Sequence, residues 1–168
     1  MSATSVRVRP ARRSDAPAIV AMLGRLAAFE RATRPPRLNV ETLCRDAFGA
    51  TRRFRVFIAE RGNTGVVGFA TLFDTYSSWE GARCAHIGDL WVEPRARRDG
   101  AGRALMGAIV RHVARTGALR VDLYVLRTND ARAFYERLGF RHESRWLVYR
   151  LEKDRFPLAL SDYCGAVP

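Results

Sequence analysis

One stretch decides how this chain can fold: LWVEPRARRDGAGRAL, which runs from Leu90 to Leu105. Its apolar start ends a predicted strand, Pro94 begins a turn, and a basic loop with two glycines leads directly into a helix. The first amides of a helix have no internal partner and lie at the positive end of its dipole. We therefore expect an anion site at this helix start, with Arg97, Arg98 and Arg103 adding charge around it.

Hydrophobic patterns on either side of this stretch predict a layered α/β (α+β) domain. The predicted strands are Val6–Arg9, Arg55–Glu60, Val66–Tyr76, Ala82–Val92, Val121–Leu126 and Trp146–Leu151, with a further strand near Arg141 left open. The predicted helices begin at Ser14, Asn39, Gly100 and Asn129. This order gives a mixed, mostly antiparallel sheet of six or seven strands flanked by about four helices. We expect one domain over residues 6–152, with flexible termini at residues 1–5 and 156–168.

Arginine dominates the charge of the chain. Its 29 Lys and Arg against 17 Asp and Glu give a formal charge of +12, and the only lysine is Lys153. Such a balance favours an anionic partner, which could be a phosphate-bearing cofactor, nucleic acid or an acidic membrane surface. No apolar run approaches the roughly 18–20 residues of a membrane span. Zinc-finger spacing and aromatic-rich RNA-binding strands are absent from the sequence, so we do not expect a nucleic-acid partner.

Cysteine usage indicates a reducing compartment. Cys44, Cys84 and Cys164 are odd in number and scattered along the chain, which is typical of free thiols. We therefore expect a cytoplasmic protein. Since no cluster of Cys and His has ligand spacing, we predict no metal site.

Two motifs stand in order along the chain. The first is Arg97-Arg98-Asp99-Gly100-Ala101-Gly102, and the second runs from Asn129 through Tyr135 to Leu138-Gly139-Phe140. They resemble the Arg/Gln-x-x-Gly-x-Gly/Ala loop and the Asn…Tyr-x-x-Leu-Gly-Phe ending of the GNAT superfamily of acyl-CoA-dependent N-acetyltransferases. Shorter stretches look most like the diamine (spermidine/spermine) and thialysine acetyltransferase branch: Leu26–Glu30, Ala47–Gly49, Val67–Ala70 and Thr75–Gly81.

The resemblance implies a cofactor, acetyl-CoA, bound where strands Ala82–Val92 and Val121–Leu126 separate. Its pyrophosphate would lie on the amides of residues 98–103, and its pantetheine arm along the end of the first strand. The implied cofactor-binding residues are Leu90, Trp91, Val92, Arg97, Arg98, Asp99, Gly100, Ala101, Gly102, Arg103, Asn129 and Phe134. The family's Asn lies seven residues before its Tyr, and Asn129 lies six before Tyr135, so Thr128 is an alternative contact.

The resemblance also implies direct transfer of the acetyl group to a primary amine. Tyr135 would protonate the leaving thiolate, since a phenol with a pKa of about 10 is protonated at neutral pH. Where the diamine enzymes carry a base in a Glu-Asp pair, this chain has Gly88-Asp89, so another residue must accept the amine's proton. His86 and Asp89 are the candidates, with Glu93 and Asp74 as alternatives. A covalent route through Cys84 is disfavoured, because a thiol among apolar neighbours is usually inert.

The resemblance implies a small-molecule amine as the acceptor, and we expect it to be either polyamine-like or amino-acid-like. A polycation is repelled by a +12 protein unless the site is locally acidic. We expect Glu30, Asp74, Tyr76 and Trp79 to shape the acceptor site. Two other classes stay open: a catalytically weak acyl-CoA-binding module and, less favoured, a basic nucleic-acid-binding protein. Members of the family often dimerise, so we expect a homodimer.

Overall fold

The computed structural model describes residues 6–161, which form five strands and five α-helices. The strands are β1 (Val6–Pro10), β2 (Arg55–Arg61), β3 (Val66–Ser77), β4 (Ala82–Val92) and β5 (Val121–Leu123). The helices are α1 (Ala16–Phe29), α2 (Val40–Phe48), α3 (Ala101–Arg115), α4 (Ala131–Arg137) and α5 (Phe156–Ser161). Two compact units divide between Leu126 and Arg127, and all five strands lie in the first. The single domain over residues 6–152 stays a prediction.

The first unit is built on one mixed sheet. Its strand order is β1-β2-β3-β4-β5, antiparallel throughout except for the parallel pair of β4 and β5. The β2–β3 connection turns at Gly65, whose φ of +76° lies in the left-handed region that glycine enters without steric cost. The mixed, mostly antiparallel sheet predicted from the sequence is confirmed.

Helices cover both faces of this sheet because their apolar residues recur at helical spacing. On one face, Ile19 and Met22 of α1 and Leu43 of α2 pack with Phe69 and Trp91 in a buried cluster. On the other face, α3 packs against β1 to β4 through a second apolar stripe: Leu105, Met106, Ile109 and Val113. Burying each such side chain contributes about 1.5–3 kcal/mol.

Several predicted boundaries were wrong. The described residues contain five strands rather than six or seven, since β5 ends at Leu123 and neither Trp146–Leu151 nor the segment near Arg141 forms a strand. Alternation in the sequence gives a strand its two faces, but a strand also needs a hydrogen-bonded neighbour, and residues 146–151 pair with none of the described strands. Residues 156–161, predicted to be flexible, form α5. The rest of the predicted termini, 1–5 and 162–168, lies outside the described residues.

The entry to α1 is held by ion pairs rather than by the predicted Ser14 cap. Ser14 lies in a short 3-10 turn, and Asp15 is the residue that precedes the helix. The guanidinium of Arg9 on β1 contacts Asp15 at 2.8 Å and Glu60 of β2 at 2.6 Å. The Asp15 carboxylate also accepts the Arg12 amide at 2.6 Å. Burial alone would raise the pKa of Asp15, but the hydrogen bonds from Arg9 and Arg12 hold it below its usual value.

We predict that Asp15→Asn lowers the free energy of unfolding by about 1–3 kcal/mol at pH 7, because it leaves the buried Arg9 short of a carboxylate. The carboxyl pKa is lower in the folded state than its unfolded value of about 3.9, so this stabilisation is present above about pH 4. It is lost as the pH falls through the folded-state pKa. Urea unfolding of the wild type and of Asp15→Asn should therefore show a smaller difference in the free energy of unfolding at pH 3 than at pH 7. Asp122→Asn, which removes an exposed partner of Arg120, is the control and should change little.

Candidate active site

The sheet opens where β5 leaves β4. These two strands pair at only three positions, from Ala85 opposite Val121 to Ile87 opposite Leu123. Beyond Ile87, β4 continues for five residues to Val92 with β3 as its only strand neighbour among the described residues. The other backbone edge of this segment, which includes Leu90 and Trp91, is available to an extended ligand that adds as a strand does.

The loop after β4 has the backbone of an anion site. Arg98 (φ +71°) and Gly100 (φ +83°) both adopt the left-handed conformation, and α3 begins one residue later. The first bond inside the helix runs from the Ala104 amide to the Gly100 carbonyl at 2.9 Å, so the amides of residues 101–103 lie outside the helical ladder. No side chain caps this helix and no acidic residue lies in its first turn. The helix start can therefore bind an oxyanion through its backbone.

Side chains of the loop tie it to the rest of the first unit. The Arg97 guanidinium lies 4.7 Å from the centroid of the Trp91 ring and 5.0 Å from that of Phe29, and its Nε donates to the Val92 carbonyl at 3.0 Å. Asp99 pairs with Arg61 at 2.6 Å. The structure thus gives Arg97 and Asp99 anchoring contacts. Arg98 and Arg103 are exposed beside the helix start.

A β-bulge lies in β4 directly before the open segment. Ala70 is opposite Leu90 and Leu72 is opposite Ile87, so the single residue Thr71 faces two residues of β4, Gly88 and Asp89. The buried Thr71 hydroxyl accepts the Asp89 amide at 2.9 Å and donates to the Asp89 carboxylate at 2.6 Å. The bulge therefore places Asp89 on the same face of the sheet as Thr71. Without the bulge, simple alternation would place Asp89 on the opposite face from His86.

Asp89 and Glu30 form an acidic pair on this face. Burial raises the pKa of Asp89, while the Thr71 hydrogen bond and the nearby His86 lower it in part. Glu30 ends α1, and partial burial together with the charge of Asp89 raises its pKa as well. Two carboxylates within each other's field attract a cation even in a strongly basic protein. His86 lies beside them, with its ring centroid 4.7 Å from that of Tyr124.

Three predicted acceptor residues lie elsewhere on the sheet. Asp74 alternates with Phe73 along β3 and so faces α3, where it lies 3.9 Å from Arg55. Tyr76 and Trp79 belong to the β3–β4 hairpin and are exposed, Trp79 by 93%. The structure therefore brings Glu30, Asp89 and His86 together and does not bring Asp74 to them.

The second unit carries the remaining predicted residues. Asn129 accepts the Ala131 amide at 2.9 Å and so caps α4, and it lines a shallow pocket together with Thr128. The Tyr135 ring lies between Phe134, at 5.3 Å between centroids, and Phe140, at 5.9 Å. Thr128 and Asn129 thus line the same pocket, and the choice between them stays a prediction.

Thr71 is the site residue that sequence reasoning missed. The one available signal was a hydroxyl in the middle of an otherwise apolar strand interior, from Val66 to Phe73. Such a residue needs a hydrogen-bond partner when buried. Without knowledge of the bulge, that partner could not be identified as Asp89.

Comparison with known proteins names the family. The sequence model of the acetyltransferase (GNAT) family matches residues 23–140. The chain belongs to the GNAT acetyltransferase family. It is 31% identical over 160 residues to thialysine N-epsilon-acetyltransferase of Mus musculus, which covers 88% of this chain and 93% of the relative. It is also 31% identical over 100 residues to L-ornithine N5-acetyltransferase of Arabidopsis thaliana, or 58% of this chain and 44% of the relative.

The solved structures agree on the fold of this GNAT protein. An integron cassette protein of Vibrio cholerae superposes with a TM-score of 0.76 at 20% identity, over 93% of this chain and 98% of the other. The predicted GNAT fold and the resemblance to the thialysine branch are confirmed, and the protein is an acetyltransferase. In the described part of the chain, no helix is long and apolar enough to cross a bilayer, and no three potential ligand side chains cluster as a metal site would require. Cys44 and Cys84 are free thiols, and Cys164 lies outside the described residues.

Gly88 marks where this GNAT enzyme departs from the diamine branch. A Cβ at Gly88 would lie 2.6 Å from the ring edge of Phe73 and 3.0 Å from the Thr71 hydroxyl. The Phe73 ring is itself stacked on Phe54, at 5.1 Å between centroids. The space that a side chain at position 88 would need is therefore already filled.

We predict that Gly88→Ala lowers the free energy of unfolding by about 1 kcal/mol, since overpacking of about 1–3 kcal/mol outweighs the roughly 0.5 kcal/mol gained by restricting the unfolded chain. In a Phe73→Leu background, the same substitution should be neutral or stabilising. Urea unfolding of the four proteins completes the double-mutant cycle. Equal effects of Gly88→Ala in both backgrounds would show that Phe73 does not occupy the space.

Proposed function

We propose that this enzyme transfers the acetyl group of acetyl-CoA to the terminal primary amine of a small, amino-acid-like molecule. The observation that carries the proposal is the acidic pair of Glu30 and Asp89, which lies where the open segment of β4 begins. It supplies the locally negative site that a cationic acceptor needs in a protein of charge +12.

The α3 helix start supports the cofactor assignment. Its free amides and the exposed Arg98 and Arg103 suit the pyrophosphate of acetyl-CoA. The edge of β4 beyond its pairing with β5, at Leu90 and Trp91, suits the amide groups of pantetheine. Both features fit the GNAT family, whose members use acetyl-CoA.

Asp89 is our choice of base. An ammonium has no lone pair, so the acceptor must lose a proton before it attacks the thioester carbonyl. A carboxylate whose pKa is raised by burial is a stronger base than an ordinary one, and Thr71 fixes its position through two hydrogen bonds. Glu30 would hold the ammonium of the incoming acceptor, and His86 is the alternative proton acceptor.

The transfer itself is a direct substitution. The neutral amine nitrogen forms a bond to the acetyl carbon and gives up one further proton, the carbon–sulfur bond breaks, and the coenzyme leaves as a thiolate that takes up a proton. The family resemblance assigns that last proton to Tyr135. Its flanking rings, Phe134 and Phe140, limit how the phenol can turn.

The acceptor class follows from the relatives and from the charge. Thialysine and ornithine, named in two of the relatives, each carry a side-chain amine on an amino acid. One acidic pair matches a single ammonium better than the several charges of a polyamine. Because Gly88 replaces the family glutamate, the base is the part of the mechanism that another residue must supply. Location in the cytoplasm and assembly as a homodimer stay predictions.

We predict that Gly100→Glu abolishes acetyl-CoA binding, measured by calorimetry, because it adds a negative charge at the helix start. Gly117→Glu is the matched control: Gly117 follows the other end of α3, is also left-handed (φ +71°) and also has open space around its Cβ position. Both variants strain the backbone alike, so only the change at Gly100 should affect the cofactor. Equal loss of acetyl-CoA binding in both variants would show that the loss comes from a folding defect.

The same preparations test catalysis. Release of free CoA thiol should be measured with lysine, thialysine, ornithine and spermidine as acceptors. We expect turnover with the amino acids and little with spermidine. Cofactor binding without thiol release on any of these amines would overturn the proposed acceptor class.

We predict that Asp89→Asn lowers kcat/KM at least about 100-fold, the usual contribution of a general base. Thr71→Val should move the acid limb of the kcat/KM profile to higher pH, since it removes the hydrogen bond that lowers the pKa of Asp89. Activity then requires a higher pH before the carboxyl is ionised. Thr71→Ser keeps the hydroxyl and should restore the wild-type profile. An unmoved limb in Thr71→Val would exclude Asp89 as the titrating base.

A further inference from the structure

A second basic region lies at the opposite edge of the sheet from the β4–β5 opening. It is a cavity of about 320 Å³ between β1, β2, the end of α2 and the last turns of α3. We call it the basic cavity, after the cations that line it: Arg52, Arg55, Arg111, His112 and Arg115. Its apolar lining includes Phe48, Val56, Phe57 and Ala108.

The charge in the basic cavity is only partly balanced. Arg9, which also lines it, is neutralised by Asp15 and Glu60, whereas Arg55 has only Asp74 at 3.9 Å. Within the described residues, no carboxylate forms an ion pair with the three other arginines: Arg52, Arg111 and Arg115. The C-terminal dipole of α3 offsets roughly half a charge, which is far less than these cations carry.

Two buried polar atoms of residues that line the cavity lack a hydrogen-bond partner among residues 6–161. They are Nε of Arg55 on β2 and Nε2 of His112 on α3, which come from elements on two sides of the space. Buried polar groups are nearly always hydrogen-bonded, to protein, water or ligand. Burial, followed by the charges of Arg55 and Arg115, lowers the pKa of His112, and only Asp74 acts against them. An oxyanion in the cavity would offset the charges of Arg55 and Arg115 and so reverse this repulsion on His112.

We propose that the basic cavity is a binding site for a small phosphate-bearing molecule, separate from the α3 helix start. The cluster of arginines supplies the charge-assisted hydrogen bonds that phosphate oxygens accept, and the apolar lining accommodates a short organic body. A volume of about 320 Å³ suits a small molecule better than a nucleic-acid backbone. The site does not depend on the proposed acetyl transfer.

The histidine in the cavity provides a local test with inorganic pyrophosphate as the probe. NMR titration should give His112 a pKa below its usual 6.5 in the free protein and raise it by at least about one unit at saturating pyrophosphate, as an adjacent anion does. His142, which does not line the cavity, should not respond. Since the readout is His112 itself, pyrophosphate bound at the α3 helix start cannot mimic it. A His112 titration that is the same with and without pyrophosphate would overturn the proposal.

A paired charge deletion tests which residues bind. The double variant Arg52→Gln/Arg115→Gln should raise the pyrophosphate concentration needed to shift the His112 pKa at least about tenfold. Each exposed arginine supplies charged hydrogen bonds to the anion. The double variant Arg7→Gln/Arg13→Gln removes the same charge outside the cavity and should raise that pyrophosphate concentration less than about twofold. Equal weakening in both pairs would show a general field effect and overturn the site. A short DNA duplex that shifts His112 at lower concentration than pyrophosphate would replace the small anion by nucleic acid.

Discussion

The Thr71–Asp89 interaction is the constraint on which the candidate site depends. One buried hydroxyl satisfies both the amide and the carboxylate of Asp89, so β4 can hold an extra residue without leaving a buried polar group unpaired. The bulge turns Asp89 toward Glu30 and places Gly88 against Phe73. From this point β4 continues beyond its pairing with β5, which leaves the strand edge that the cofactor is proposed to use.

Much of the fold could be predicted from the sequence, because apolar periodicity is a local property. The long strands β3 and β4 and the helix α3 begin and end near the expected residues, and Gly117 ends α3 as expected. The sequence could not predict where β5 ends or that residues 146–151 do not form a strand, because both depend on whether a neighbouring strand is present. Alternation of side chains says nothing about that neighbour.

The candidate site could likewise be predicted only where its chemistry depends on residues that are adjacent in the sequence. The helix start at Gly100 could be read directly from the sequence, because its chemistry resides in consecutive residues. Asp89, His86 and Glu30 were identified as candidates, but their grouping depends on a bulge that breaks the two-residue alternation. Asp74 was misplaced for the related reason that acidic character does not tell which face of β3 a residue occupies. His112 showed no sequence signal, since part of its environment comes from Arg52 and Arg55, which are far from it in the chain.

The left-handed conformation of Arg98 lowers the stability of the loop before α3. An arginine with a φ of +71° costs roughly 1–2 kcal/mol that glycine at the same position would avoid, and asparagine would avoid part of it. A chain optimised for folding alone would be expected to lose this arginine. Position 98 thus carries a charge beside the helix start at a cost in stability, and under the proposed function, replacing this arginine to stabilise the loop would lower the affinity for the cofactor's pyrophosphate.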